Sequence, residues 1–194
     1  MFFITDDGSS DSYLGYVDRY TDNYSTFIKT PLPKIDGQKA DFIDVVNGGR
    51  EFFLMVGYQD YYWANKRPTT SQSIQYYSVE LLDNNQFAEP TRIGEMEFVT
   101  EFDHDSYPSR EQVINYISED GNTLVVQSLR RVEHDNFYFY DAHAFFRNAA
   151  GKWIKKQINP PNTKIVGNMR LSGSGQRLFW TPESHSSVTR QPLK

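Results

Sequence analysis

The sequence predicts an all-β fold built from about three repeated units, each a four-stranded antiparallel sheet. Residues 117–126 read Ile-Ser-Glu-Asp-Gly-Asn-Thr-Leu-Val-Val: an apolar end, a polar turn with glycine, and a second apolar run. Residues 171–180 repeat this pattern as Leu-Ser-Gly-Ser-Gly-Gln-Arg-Leu-Phe-Trp, and Gly121 and Gly175 are 54 residues apart. A hairpin that recurs at such an interval indicates a repeat architecture.

Composition is the third observation that favours β structure. The chain has 194 residues, 38% hydrophobic and 23% charged, which is enough for one domain with a buried core. Aromatic residues make up 15% of the chain and suit strands that bury one face. A net charge of −5 without a dense basic run argues against a nucleic-acid partner. No apolar run is long enough to predict a membrane span. With no cysteine, disulfides, thiolate metal sites and a cysteine nucleophile are excluded.

The first unit, residues 1–34, is predicted to contain three short strands at 2–5, 13–17 and 24–29, separated by turn-forming residues. Pro31 and Pro33 are expected to end the third strand. Residues 2–5 resemble residues 178–181, which form the second strand of a repeat. The chain is therefore expected to start inside a unit.

The second unit, residues 40–95, carries a looser copy of the hairpin, with its turn at residues 47–49 and an apolar run at 52–56. A loop at 64–73 follows. Two further strands are predicted at 75–81 and 87–93, with a turn at 83–85.

The third unit, residues 97–161, gives the clearest pattern, with strands at 112–117, 123–126, 137–146 and 153–158. Val113, Ile114 and Ile117 also fit one face of a helix, which is the alternative for that segment. The fourth unit, residues 162–181, is predicted to hold only two strands, at 164–171 and 177–180. Residues 182–194 form a polar tail.

These repeated motifs, together with the aromatic run at 137–140, resemble β-propeller repeats. The nearest types are the FG-GAP-like repeats of integrin-type propellers and bacterial surface proteins, and the TolB-like repeats. The resemblance implies a partial β-propeller whose units are blades. Because propellers typically have four to eight blades, the chain is expected to belong to a longer propeller, or to be completed by a protein partner or by further copies of itself.

The resemblance to FG-GAP repeats raises the question of calcium, which those repeats often bind through an Asp-x-Asp-x-Asp-Gly loop. Neither hairpin turn of this chain supplies that series of oxygen ligands. A sialidase Asp-box would read Ser-x-Asp-x-Gly-x-Thr-Trp, and residues 118–124 lack one spacer and the tryptophan. The sequence therefore assigns no metal to these turns, and it predicts no cofactor.

Two loops each place a histidine between carboxylates. His104 lies between Asp103 and Asp105, and His134 lies between Glu133 and Asp135. Imidazole and carboxylate groups brought together can bind a divalent metal or perform acid–base chemistry. The alternative is two solvated loops.

A run of three aromatic residues, Tyr61, Tyr62 and Trp63, offers a second candidate surface. Successive residues of a strand point to opposite faces, so at least one of the three should be exposed for stacking on a sugar or a protein. Packing between neighbouring sheets is the competing interpretation.

A third feature is a basic hairpin that contains Arg147, Lys152, Lys155 and Lys156. Lysines commonly protect an exposed edge strand from pairing with other chains. No phosphate-binding loop, serine nucleophile elbow or His-Glu-x-x-His motif is present.

Three functions follow from these features. The first is a non-enzymatic protein-interaction module or scaffold built on propeller blades. The second is a glycan-binding or glycoside-processing propeller that uses Tyr61, Tyr62 and Trp63 with loop carboxylates such as Asp105 and Asp135. The third is a metal-supported site at His104 and His134.

Overall fold

The computed structural model of the chain describes residues 2–6, 12–17, 27–57, 70–100, 113–131, 138–158, 169–180 and 189–192. Within these ranges the backbone forms fourteen β-strands, one short 3-10 turn at Asn47–Gly49 and no α-helix. The strands are β1 (Phe2–Asp6), β2 (Ser12–Val17), β3 (Phe27–Pro31), β4 (Asp41–Val46), β5 (Glu51–Val56), β6 (Thr70–Glu80), β7 (Thr91–Thr100), β8 (Val113–Ile117), β9 (Thr123–Arg131), β10 (Tyr138–Arg147), β11 (Trp153–Gln157), β12 (Arg170–Leu171), β13 (Arg177–Trp180) and β14 (Thr189–Pro192).

The strands form four sheets in which consecutive strands lie side by side. Two sheets have four strands, in the orders β4-β5-β6-β7 and β11-β10-β9-β8. Two have three strands, in the orders β1-β2-β3 and β12-β13-β14. The predicted all-β class is confirmed, and the two larger sheets are four-stranded antiparallel meanders. Their arrangement as propeller blades stays a prediction.

Several predicted strand positions need correction. The helical alternative for residues 113–117 is wrong, because these residues form β8 and pair with β9. The third strand extends to Pro31, two residues beyond its predicted end at Lys29, and residues 24–26 lie outside the described residues. The fourth strand of the second sheet begins at Thr91, and Phe87 makes only an isolated bridge to Leu81.

The fourth sheet contains one strand more than the sequence predicts. Strand β14 lies inside the tail that was expected to be only polar, and it pairs along β13 from Arg177 opposite Pro192 to Trp180 opposite Thr189. The segment has no apolar alternation, so its strand conformation depends on this pairing rather than on local sequence.

The chain divides into two compact units, one made of residues 1–57 and 75–92 and the other of residues 58–74 and 93–194. In the first, Phe52 is fully buried, and its ring centroid lies 5.3 Å from that of Phe87 and 6.1 Å from that of Phe42. The core cluster around it consists of Leu32, Ile35, Ala40, Phe52, Leu54, Val56, Tyr77 and Val79.

In the second unit a core cluster joins two sheets. Val125, Ala142 and Ala144 come from the β8–β11 sheet, and Leu178 comes from β13. Met169, just before β12, is fully buried in the same cluster. Sheets β8–β11 and β12–β14 therefore share one apolar core.

Candidate functional site

The turn between β8 and β9 is fixed by the side chain and backbone of Ser118. The Ser118 N–H donates to the carbonyl of Thr123 at 2.9 Å, and the Thr123 N–H donates to Ser118 Oγ at 2.9 Å. The Gly121 N–H donates to the Ser118 carbonyl at 2.9 Å. Gly121 has a φ of 65°, which glycine adopts without steric cost.

The turn between β12 and β13 repeats these bonds with Ser172 in the place of Ser118. The Ser172 N–H donates to the Arg177 carbonyl at 2.9 Å, and the Arg177 N–H donates to Ser172 Oγ at 3.1 Å. Gly175 has a φ of 66° and donates its N–H to the Ser172 carbonyl at 2.8 Å. The hairpin similarity seen in the sequence is therefore a geometric equivalence.

The two turns pack directly against each other, and we call this contact the turn stack, formed by residues 118–123 and 172–177. The Glu119 N–H donates to the Gly173 carbonyl at 2.9 Å across the stack. A Cβ placed on Gly175 would lie 2.5 Å from Thr123 Oγ1 and 2.9 Å from Ser118 Cβ. The absence of a side chain at Gly175 is what lets the turns approach.

Besides the turn stack, a buried glutamine links the same two sheets by hydrogen bonds. Gln127 is fully buried, and its Oε1 accepts the Tyr116 hydroxyl and the Met169 N–H, both at 3.3 Å. A buried backbone N–H without an acceptor is costly. Gln127 therefore ties the start of the β12–β14 sheet to the centre of the preceding sheet.

Asp120 makes the turn stack sensitive to pH. Burial acts to raise the pKa of Asp120, but hydrogen bonds from the Ser118 hydroxyl at 2.6 Å and the Asn122 N–H at 3.0 Å outweigh burial and hold the pKa below its ordinary value. A carboxylate with a depressed pKa in the folded state stabilises the fold above its unfolded-state pKa and loses that contribution as the pH falls through the folded value.

We therefore expect the free energy of unfolding to fall as the pH is lowered below about 4. In Asp120→Asn the share of this decrease that comes from the Asp120 carboxylate should be absent. Because the carboxylate is largely exposed, we expect the stability lost on acidification to differ between the two proteins by about 1 kcal/mol or less. Urea unfolding of both proteins at pH 6 and pH 3 measures it. Equal losses on acidification in the two proteins would contradict this role.

The basic hairpin formed by β10 and β11 is the other surface with distinctive chemistry. Trp153 is buried, and the Arg147 guanidinium carbon lies 4.7 Å from its ring centroid. Lys155 Nζ donates to the Glu95 carbonyl at 2.9 Å and lies 6.0 Å from the Phe145 ring centroid. Two of the four cations are thus held in place by contacts with neighbouring strands.

Strand β11 lies at the edge of its sheet, and its residues 154–157 are exposed. Ile154 is 50% exposed and places an apolar side chain on this edge. Because side chains alternate along a strand, Ile154 and Lys156 share one face, while Lys155 lies on the face of Trp153. Positive charge is therefore present on both faces of the edge.

The sequence-predicted site residues are not brought together by anything that the structure describes. Tyr61, Tyr62, Trp63, His104, Asp105, His134 and Asp135 lie outside the described residues. The histidine and aromatic hypotheses stay predictions. The sequence did reveal the four cations of the basic hairpin, but not the partners Glu95 and Phe145, which are distant along the chain.

The described part of the chain contains neither a metal-binding cluster nor a membrane-spanning helix. No group of three or more His, Asp or Glu residues there is placed to hold a metal ion. No helix in those ranges is long and apolar enough to cross a membrane.

Comparisons with known proteins identify no family for this chain. No family model matches the sequence. No curated protein matches it either. Among solved structures, the endo-arabinase from Bacteroides thetaiotaomicron VPI-5482 is similar at 12% identity, covering 100% of this chain and 93% of that one. The TM-score is 0.26, so this likeness carries no argument about activity.

Proposed function

We propose that the protein is a non-enzymatic interaction module, a scaffold of antiparallel sheets that binds another polypeptide. The observation that carries the proposal is the exposed edge strand β11, which is attached to a sheet whose interior is fully packed. Leu124, Val125 and Val126 in the same sheet are fully buried. A rigid sheet with an accessible edge is a common way to bind an extended chain.

The turn stack and Gln127 support a scaffold role because they fix two successive sheets to each other. The bonds involved are mostly between backbone groups, or between a side chain and a backbone group. Such contacts leave outward-facing side chains free to vary without altering the sheets. Surface loops carried by a rigid framework are typical binding elements.

Selection of a random peptide library displayed on phage, against the immobilised protein, tests the proposal. We expect a family of related peptides to be enriched, and synthetic versions to bind in solution. A glycan array probed with the protein and with Trp63→Ala tests the competing glycan hypothesis. Absence of any peptide family would contradict the interaction-module proposal, and glycan binding that Trp63→Ala abolishes would support the competing glycan hypothesis.

A further inference from the structure

We propose that the outer edge of β11 binds an acidic, extended peptide segment by adding it to the sheet as a further strand. This inference rests on the proposed function and names its partner and its surface. It combines three observations: the direction of the backbone groups along β11, the charge of the hairpin and the exposure of Ile154.

In β11 the backbone groups of Lys155 and Gln157 point away from the sheet. The Ile158 N–H donates to the Ala142 carbonyl at 3.1 Å, and the Asn148 N–H donates to the Lys152 carbonyl at 2.9 Å. Backbone groups alternate in direction along an antiparallel strand. Hence the backbone N–H and C=O groups of Ile154 and Lys156 point towards β10. Those of Lys155 and Gln157 point away from the sheet.

The outer edge of β14 differs from that of β11 in its backbone donors. The Arg177 N–H and C=O bond to Ser172 on the β12 side, so the backbone of Pro192, paired with Arg177 on β14, faces away from β13. Proline has no N–H, so it occurs in edge strands at positions where an N–H would point to solvent. Pro192 removes from β14 the donor that an added strand would need there.

Charge defines the chemistry of the partner. Residues 142–158 contain four cations, Arg147, Lys152, Lys155 and Lys156, and no acidic residue, although acidic residues outnumber basic ones 25 to 20 in the whole chain. Positive charge on an edge strand disfavours pairing with a second copy of the same strand. The same charge attracts a strand that carries glutamate or aspartate.

A peptide fits this surface better than a polyanion such as nucleic acid or a sulfated glycan. A phosphate or sulfate chain has no regular series of amide groups to match the outward groups of Lys155 and Gln157. The half-exposed Ile154, beside Lys156, provides an apolar contact for a side chain of the added strand. A strand with an acidic residue opposite Lys156 and an apolar residue two positions away, opposite Ile154, satisfies both features.

Fluorescence anisotropy with a labelled peptide about eight residues long, in which valine and glutamate take turns at every second position and threonine fills the others, tests the inference directly. A peptide with lysine in place of glutamate is the control. We expect only the glutamate peptide to bind, more weakly as salt is raised, because exposed charges are screened. Lys156→Glu should weaken binding about tenfold, since it places like charges opposite each other.

A matched pair at Gln157 separates strand addition from simple charge attraction. Gln157→Pro removes an outward N–H and leaves the bonds to β10 in place, so it should weaken binding about fivefold, the value of one hydrogen bond. Gln157→Ala keeps the N–H and should bind like the original protein. Unchanged urea midpoints in both variants would show that the sheet is intact.

Several outcomes would overturn the inference. They are failure of the glutamate peptide to bind, equal binding of the lysine peptide, and full competition by heparin with no effect of Gln157→Pro. If phage-selected peptides bind equally well to Lys156→Glu, the partner strand lies elsewhere and the proposed function stands without this site. If no peptide is selected at all, the proposed function itself fails.

Discussion

Gly175→Ala is expected to destabilise the protein by about 3 kcal/mol, as the sum of two effects. Gly175 has a φ of 66°, a conformation that costs a residue with a Cβ about 1–2 kcal/mol. The added Cβ would also lie 2.5 Å from Thr123 Oγ1 and 2.9 Å from Ser118 Cβ. The second contact involves atoms close to the backbone, so relief requires the two turns to separate. Urea unfolding measures the change.

Gly151→Ala is the matched control for this prediction. Gly151 also has a positive φ, 77°, but nothing lies within 4 Å of a Cβ built there. Only the conformational part of the cost applies, and we expect a loss of about 1 kcal/mol. Equal losses in the two variants would show that the turn stack contributes nothing beyond backbone conformation.

Phe52→Ala is expected to cost about 4 kcal/mol, which is typical for loss of a fully buried aromatic ring. Phe52 contacts the rings of Phe42 and Phe87 and lies in the core cluster of the first unit. Removal of the ring leaves a cavity that β5, hydrogen-bonded to strands on both sides, cannot close by moving. The unfolding midpoint in urea and the melting temperature should both fall.

Leu82→Ala provides the comparison for Phe52→Ala. Leu82 is 40% exposed in the turn after β6, and a substitution there should change stability by about 0.5 kcal/mol or less. A Phe52→Ala protein as stable as Leu82→Ala would mean that β5 does not form the centre of this core.

The repeated hairpin could be predicted because its determinants are local. A serine that bonds across the turn and a glycine with positive φ recur at Ser118 and Gly121 and again at Ser172 and Gly175. Any sequence with those residues between apolar runs favours the same turn. The looser copy at residues 47–49 also has glycines with positive φ, but it has Val46 where the other copies have serine.

The errors arose where tertiary contacts decide local structure. Phe87 was predicted to start a strand because it is apolar, yet it packs on the Phe52 ring and the strand begins at Thr91. Strand β14 was missed because its residues are polar and only pairing with β13 makes the segment a strand.

The candidate site was predictable only in part, for a similar reason. The charges of the basic hairpin can be read from the sequence, and so can its position on an edge strand. The bond from Lys155 to the Glu95 carbonyl joins residues 60 positions apart, which no local pattern indicates. The direction of the backbone groups that separates β11 from β14 also requires the observed pairing.

Nuclear magnetic resonance of the Glu119 amide tests the central claim, that the β8–β9 turn and the β12–β13 turn pack against each other in the turn stack. The account predicts a through-space contact between the Glu119 amide proton and the α-protons of Gly173, together with slow exchange of that amide, since its N–H bonds to the Gly173 carbonyl at 2.9 Å. An amide that exchanges as fast as one in an open turn, with no contact to Gly173, would contradict the stacked-repeat arrangement.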